Sequence, residues 1–309
     1  MNDKELYQLT TKYRQFIRIL DVARIPNKRL YANYFQLVRK ILLKDFKNID
    51  SKFKALNISK YELGGVESVS KKIWVMWWQG EKNAPKIVQS NIKRLKRIFG
   101  PQKVVLITKH NYSHYTDISQ EILNKFFNKQ ITFTSWSDII RFNLLKNHGG
   151  IWIDSTVVVS SKITEEDILH KEFFSLCSNN KYRFVSDGRW TGWMIGGNKE
   201  LKLFHYVNLF YQEYFKRHDN IIDYYIVDYA IEHYFNMDKQ FQDLIRNQQR
   251  NWENSVFMAN LFNTVPTSII DQFNNDINYC VQKITYKKKI PKKISKDSLY
   301  YKIINNSLD

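Results

Sequence analysis

Asp138 and Arg141 lie three residues apart in the run Ser135-Trp136-Ser137-Asp138-Ile139-Ile140-Arg141. A helix through this run puts both on one face. Gly149 is placed to stop that helix in a left-handed conformation. The apolar run Ile151-Trp152-Ile153 that follows ends in Asp154. In open α/β sheets ligands bind beyond the carboxyl ends of strands. A carboxylate released there is a natural ligand for a hydroxyl or a cation. Each residue also has a plain structural role open to it. Asp138 stands third after a Ser135 cap, where an acid stabilises a helix start. Arg141 can be its surface partner, and Asp154 a turn residue. Taken together at fixed spacing, the three point to a site. Asp228 is a fourth candidate, set in the aromatic run Tyr224-Tyr225-Ile226-Val227-Asp228-Tyr229. A buried carboxylate is costly unless it is paired or functional. It can orient an acceptor hydroxyl, act as a general base in a reaction that inverts configuration, or serve as the structural partner of an Arg or Tyr.

Such a set needs strands and helices to hold it. Lys72–Trp78 reads as a buried strand, and a helix opened by Pro85 runs to about Phe99 before Gly100-Pro101. Val104–Ile107 is a second strand. Helices follow around Ile118–Phe127 and Ser135–Asn147, then strands at Ile151–Ile153 and Thr156–Val159. Phe173–Leu176 and Trp190–Ile195 read as later strands, and residues 199–247 as mainly helical. This alternation predicts an α/β domain with a mixed, mostly parallel sheet. Ser186–Trp190 and Gly196-Gly197-Asn198 are polar loops placed to line a pocket. Residues 1–60 read as basic amphipathic helices. One carries Leu6, Leu9, Tyr13, Phe16, Ile17 and Leu20; another carries Tyr34, Phe35, Val38, Ile41, Leu42 and Phe46. The texture changes after Gly64-Gly65. The expected organisation is a helical region over 1–65, one α/β domain over 66–286 and a basic tail over 287–309.

Charge separates these parts. The 309-residue chain carries a net +18. Residues 1–60 hold 14 basic and 5 acidic side chains, and residues 281–309 hold 8 and 2. The stretch between is nearly neutral. Basic ends suit a polyanion: nucleic acid, an anionic leaflet or a phosphorylated substrate. They also suit simple solubility. The excess lies at the ends and no known nucleic-acid module is visible, so no nucleic-acid partner is expected. No apolar run reaches the length of a membrane span, and two cysteines make no disulfide framework. A cytoplasmic protein, peripheral on the inner face of a membrane, is expected.

The stretch from Ser137-Asp138 through Arg141 to Gly149-Gly150-Ile151-Trp152-Ile153-Asp154-Ser155-Thr156 resembles the S-D-x-x-R…G-G-x-(Tyr/Trp)-x-D signature of sugar-nucleotide-dependent glycosyltransferases with the GT-A fold. It looks most like the bacterial capsular polysaccharide synthesis protein family. Lys72–Gly80 resembles the first-strand motif of related mannosyl- and glucosyltransferases, and Val281–Lys287 resembles a later H-K-L-T-(Tyr)-K element.

The resemblance implies a GT-A-like domain that moves a hexose from a nucleotide sugar, a uridine diphosphate sugar first, with retention. The implied acceptor is a glycan or a polyprenyl-diphosphate-linked oligosaccharide at an anionic membrane. Trp77 matches the aromatic that stacks on the base, with Gln79 in the same motif. Asp138 and Arg141 match residues holding sugar and ribose hydroxyls. Asp154 matches the first acid of D-x-D and is the expected ligand of a divalent cation, Mn²⁺ or Mg²⁺. The second acid is replaced by Thr156, so the cation would be held mainly through the donor diphosphate. Lys283 is placed to neutralise that diphosphate as it leaves. Transfer of a sugar phosphate is the competing enzyme reading, and nucleic-acid binding the competing non-enzyme one.

Overall fold

The computed structural model describes residues 2–56, 58, 72–177, 181–248, 257 and 261–309. The expected boundary at Gly64-Gly65 lies outside the described residues. The chain opens with α1 (Asp3–Val22) and α2 (Lys28–Ala55). There follow β1 (Ile73–Met76), α3 (Lys86–Phe99), β2 (Val104–Ile107), α4 (Gln120–Phe127) and α5 (Phe133–His148). Next come β3 (Gly150–Ile153), β4 (Val157–Val159), α6 (Glu165–Ile168), β5 (Phe173–Ser175) and β6 (Met194–Gly197). The chain closes with α7 (Lys202–Arg217), α8 (Ile226–Met237), α9 (Lys239–Arg246), α10 (Thr267–Asn275), β7 (Val281–Lys283) and α11 (Leu299–Ile304).

The main sheet has the order β2-β1-β3-β6-β5. β1 pairs parallel with β2 and β3, while β6 pairs antiparallel with β3 and β5. The sheet is therefore mixed in equal parts, not mostly parallel. No helical crossover joins β5 to β6 among the described residues, and a parallel return needs one. β4 and β7 form a separate antiparallel pair. The strand expected over Trp190–Ile195 begins only at Met194 and takes in Gly196-Gly197.

Side chains of period two divide the core. Ile73, Val75, Ile151 and Ile153 face a cluster with α3, β4 and β7. Trp74 and Trp152 face the opposite cluster, which contains α2, α5, α7 and α8. Ile17 of α1 is buried in this second cluster, with Leu6 and Tyr13 packed against it, while Leu9 and Phe16 remain about half exposed. The six-residue stripe is thus split between core and solvent. Residues 287–296 hold no regular element. Beyond them Leu299 and Ile303 of α11 enter the α3 cluster, and the Asp309 side chain pairs with Arg94 and Arg97. None of the helices among the described residues is long and apolar enough to cross a membrane.

Candidate active site

α5 begins one turn earlier than the spacing suggests. Its cap is Thr132, whose side chain accepts from the Ser135 amide at 3.3 Å. Asp138 is therefore well inside the helix and buried, not an acid at its start. Gly149 ends the helix at φ +64. A Cβ there would come within 2.7 Å of the Lys199 amide nitrogen, so the tight turn into β3 excludes any side chain.

β3 then delivers Asp154 to the edge of a cleft. Trp152 and Asp154 are two apart and share a face, and the Trp152 indole donates to Asp154 Oδ1 at 2.7 Å. The Asp154 amide donates to the Trp193 carbonyl at 2.8 Å, which extends the β3–β6 pairing to this residue. The chain turns immediately, with the Val157 amide donating to the Asp154 carbonyl at 2.9 Å. That turn launches β4, where Val157 pairs with Lys283 of β7. This pairing brings Lys283 Nζ to 2.5 Å from Asp154 Oδ2.

Arg141 sits between the two aspartates. Its Nη1 donates to Asp138 Oδ1 at 2.7 Å and its Nη2 to Asp154 Oδ1 at 3.2 Å. The guanidinium lies 4.9 Å from the Trp152 ring centre. Tyr211 donates from α7 to the other Asp138 oxygen at 3.3 Å. The result is a row of alternating charge: Asp138, Arg141, Asp154, Lys283. Burial pushes the Asp138 carboxyl up to about 6, although Arg141 opposes it. Burial acts the same way on Asp154, but Lys283 and Arg141 outweigh it and hold that carboxyl below its ordinary value.

Two adjoining cavities meet on this row. The larger, about 470 Å³, is bounded at its far end by Trp77, Gln79 and Tyr286. The smaller, about 200 Å³, reaches Trp190, Trp193 and Asp228. Thr134, Asp138, Arg141, Asp154 and Tyr224 line both. The residues expected to bind the donor or take part in transfer thus reach one cleft: Trp77 and Gln79 at one end, Asp138, Arg141, Asp154 and Lys283 in the middle, Asp228 at the other. Asp228 lies in the first turn of α8 and accepts from the Trp190 indole at 2.9 Å. Burial pushes its carboxyl up to about 7. Ser186 also lines the smaller cavity, whereas Gly196 and Gly197 pair with β3 at the strand's opposite end and lie away from the cleft.

Several lining residues carried no local signal. Tyr224 and Tyr225 precede α8 and form a wall. Arg14 of α1 lies 5.0 and 5.1 Å from their ring centres, and Thr10 donates to the Ile222 carbonyl at 2.5 Å. The first helix therefore braces the wall of the cleft. Tyr286 meets Trp77 edge-on at 5.3 Å.

A protein-held divalent cation does not suit this donor set. Both oxygens of Asp154 are engaged by cations, and Asp138 is held by Arg141 and Tyr211. Among the described residues no group of three or more His, Cys, Asp or Glu is placed to hold a metal ion.

Residues 23–303 match the family described as capsular polysaccharide synthesis protein. The chain belongs to that family. The capsular polysaccharide synthesis match takes in α2, the whole sheet and Lys283, so all the cleft residues fall within it. The chain is also similar to the O-glycosyltransferase braB of Annulohypoxylon truncatum, 36% identical over 94 residues. That alignment covers 28% of this chain and 22% of the relative, so the chain matches about a fifth of that protein's length. No solved structure matches the chain.

Proposed function

We propose that this member of the capsular polysaccharide synthesis family is a GT-A-like hexosyltransferase, moving a sugar from a nucleotide sugar to a glycan or lipid-linked oligosaccharide. The observation that carries the reading is the continuous cleft, with an aromatic end, a central row of alternating charge and a raised carboxyl at its other end. The glycosyltransferase name of the partial relative is consistent with it. The base of a uridine diphosphate sugar would stack on Trp77, near Gln79, a contact worth about 1–3 kcal/mol. Asp138 and Arg141 would take sugar and ribose hydroxyls. Lys283 would swing from Asp154 to the diphosphate and stabilise its charge as the glycosidic bond breaks. Asp228 would accept a hydrogen bond from the attacking acceptor hydroxyl. Retention of configuration and an acceptor carried at an anionic membrane belong to the same reading. No step is routed through a metal ion; the expected Mn²⁺ or Mg²⁺ would arrive with the diphosphate.

The test is a panel of nucleotide sugars screened for thermal stabilisation with and without Mn²⁺, followed by release of nucleoside diphosphate. A uridine diphosphate sugar should raise the melting temperature and be turned over. A panel without a stabilising donor, and without hydrolysis or transfer, overturns the reading.

A further inference from the structure

We infer that the outer face of α2 docks on an anionic bilayer. The helix runs for 28 residues, about 42 Å at 1.5 Å per residue. Its inner side is apolar, with Tyr34, Val38, Leu42 and Ile49 buried. Both of its acids also lie inward and are paired. Asp45 meets Arg217 at 2.9 Å and His218 at 3.1 Å. Asp50 accepts from Tyr206 at 2.8 Å and meets His233 at 3.0 Å.

The opposite side is cationic. Arg29, Lys40, Lys44, Lys47 and Lys54 are exposed, and their spacing places them along one stripe. None of the ion pairs among the described residues uses Lys40, Lys44 or Lys47. Leu37 and Leu43 stand three residues to either side of Lys40 and are 45% and 50% exposed. A stripe of lysines with leucines at its margins matches a lipid surface. The ammonium groups meet anionic headgroups while the apolar tips enter the interface. A polynucleotide would use the lysines and leave the leucines in water. Docking through α2 does not depend on the chemistry of the cleft, because none of these side chains lines it.

The test is co-sedimentation of the full chain with vesicles of phosphatidylcholine alone and with added phosphatidylglycerol. Binding should require the anionic lipid and weaken as salt rises. Reversing Lys40→Glu, Lys44→Glu and Lys47→Glu together should lower partitioning at least about 100-fold, since each basic residue contributes about 1 kcal/mol and 1.4 kcal/mol is tenfold. The same reversal at Lys292, Lys293 and Lys296 changes net charge equally and should cost far less. If the helix triple melts early, Lys→Gln at the same positions replaces it. Leu37→Ser with Leu43→Ser should weaken the binding that survives at high salt. Equal losses from the two triples would reduce the effect to bulk charge and overturn the inference. So would absence of binding to anionic vesicles, or preference of the same lysines for a polynucleotide.

Discussion

Arg141→Lys keeps the charge and removes the geometry. The guanidinium spans two carboxylates, 2.7 Å from Asp138 and 3.2 Å from Asp154, while lying over Trp152. A lysine offers one compact ammonium on a flexible stem and cannot repeat this fork. One charge-assisted hydrogen bond is lost, about 1.5–3 kcal/mol, along with part of a cation–π contact of about 0.5–2 kcal/mol. A total near 3 kcal/mol corresponds to about a hundredfold in rate. A lysine ammonium cannot sit beside both carboxylates as the guanidinium does, so the charge that opposes burial at Asp138 is weakened and its carboxyl should rise further. The assay is steady-state release of nucleoside diphosphate from the donor found in the panel, run with a melting curve. The expected result is kcat/KM down about a hundredfold with the fold retained. A variant within twofold of the parent, at unchanged melting temperature, would refute the view that Arg141 organises the site.

Four further outcomes follow from the same geometry. Asp154→Asn should cut turnover by at least about a hundredfold, because Lys283 and Arg141 lose the carboxylate that places them; near-normal turnover would remove Asp154 from the mechanism. Trp77→Ala should weaken binding of uridine diphosphate by about 5- to 150-fold in calorimetry, the equivalent of about 1–3 kcal/mol of stacking, and an unchanged Kd would make Trp77 a wall residue only. Asp228 binds its proton more tightly folded than unfolded, so its contribution to stability falls as pH rises from about 4 through about 7. Asp228→Asn should therefore gain stability over the parent across that range, on the order of 4 kcal/mol at the top, and parallel melting-temperature profiles for the two proteins would contradict this. Deleting residues 1–24 should abolish donor hydrolysis, because Ile17 is buried in the core and Arg14 braces Tyr224 and Tyr225; a truncated chain with full hydrolysis would show that α1 is dispensable to the cleft.

The middle of the site was legible because its geometry is local. Asp138 and Arg141 are held by one helix, and Asp154 by the strand after a glycine that only a sharp turn requires. Periodicity and spacing carry such information directly. The sheet was less legible. Apolar runs locate strands but do not set their direction, and nothing local in Phe173–Ser175 or Met194–Gly197 reveals an antiparallel return. The start of α5 was misplaced by one turn because Thr132 and Ser135 are both good caps, and only the structure shows Thr132 in that position. Lys283 could be singled out through a motif resemblance, yet its partner 129 residues earlier emerges only from the β4–β7 pairing. Tyr224 and Tyr286 meet the cleft, and Arg14 backs its wall, through tertiary packing alone, and tyrosines in an aromatic-rich chain carry no distinguishing mark.

The balance of charge in the cleft bears on what the basic ends are for. In its central row two carboxylates and two cations alternate, so the charges of that row nearly cancel before any ligand arrives. Buried charges are tolerable when each has an opposite neighbour, and removing one strands the rest. An incoming diphosphate would have to draw Lys283 away from Asp154, and this exchange needs no surplus of positive charge elsewhere. The net +18 of the chain is therefore not explained by donor binding. On α2 the surplus is sorted: acids turned inward against His218 and His233, lysines turned out along one stripe. Solubility alone would be served by charge of either sign scattered over the surface. A sorted stripe edged by leucines is what adhesion to an anionic surface requires, and it places the helix that docks in the same layer as the one that braces the cleft wall.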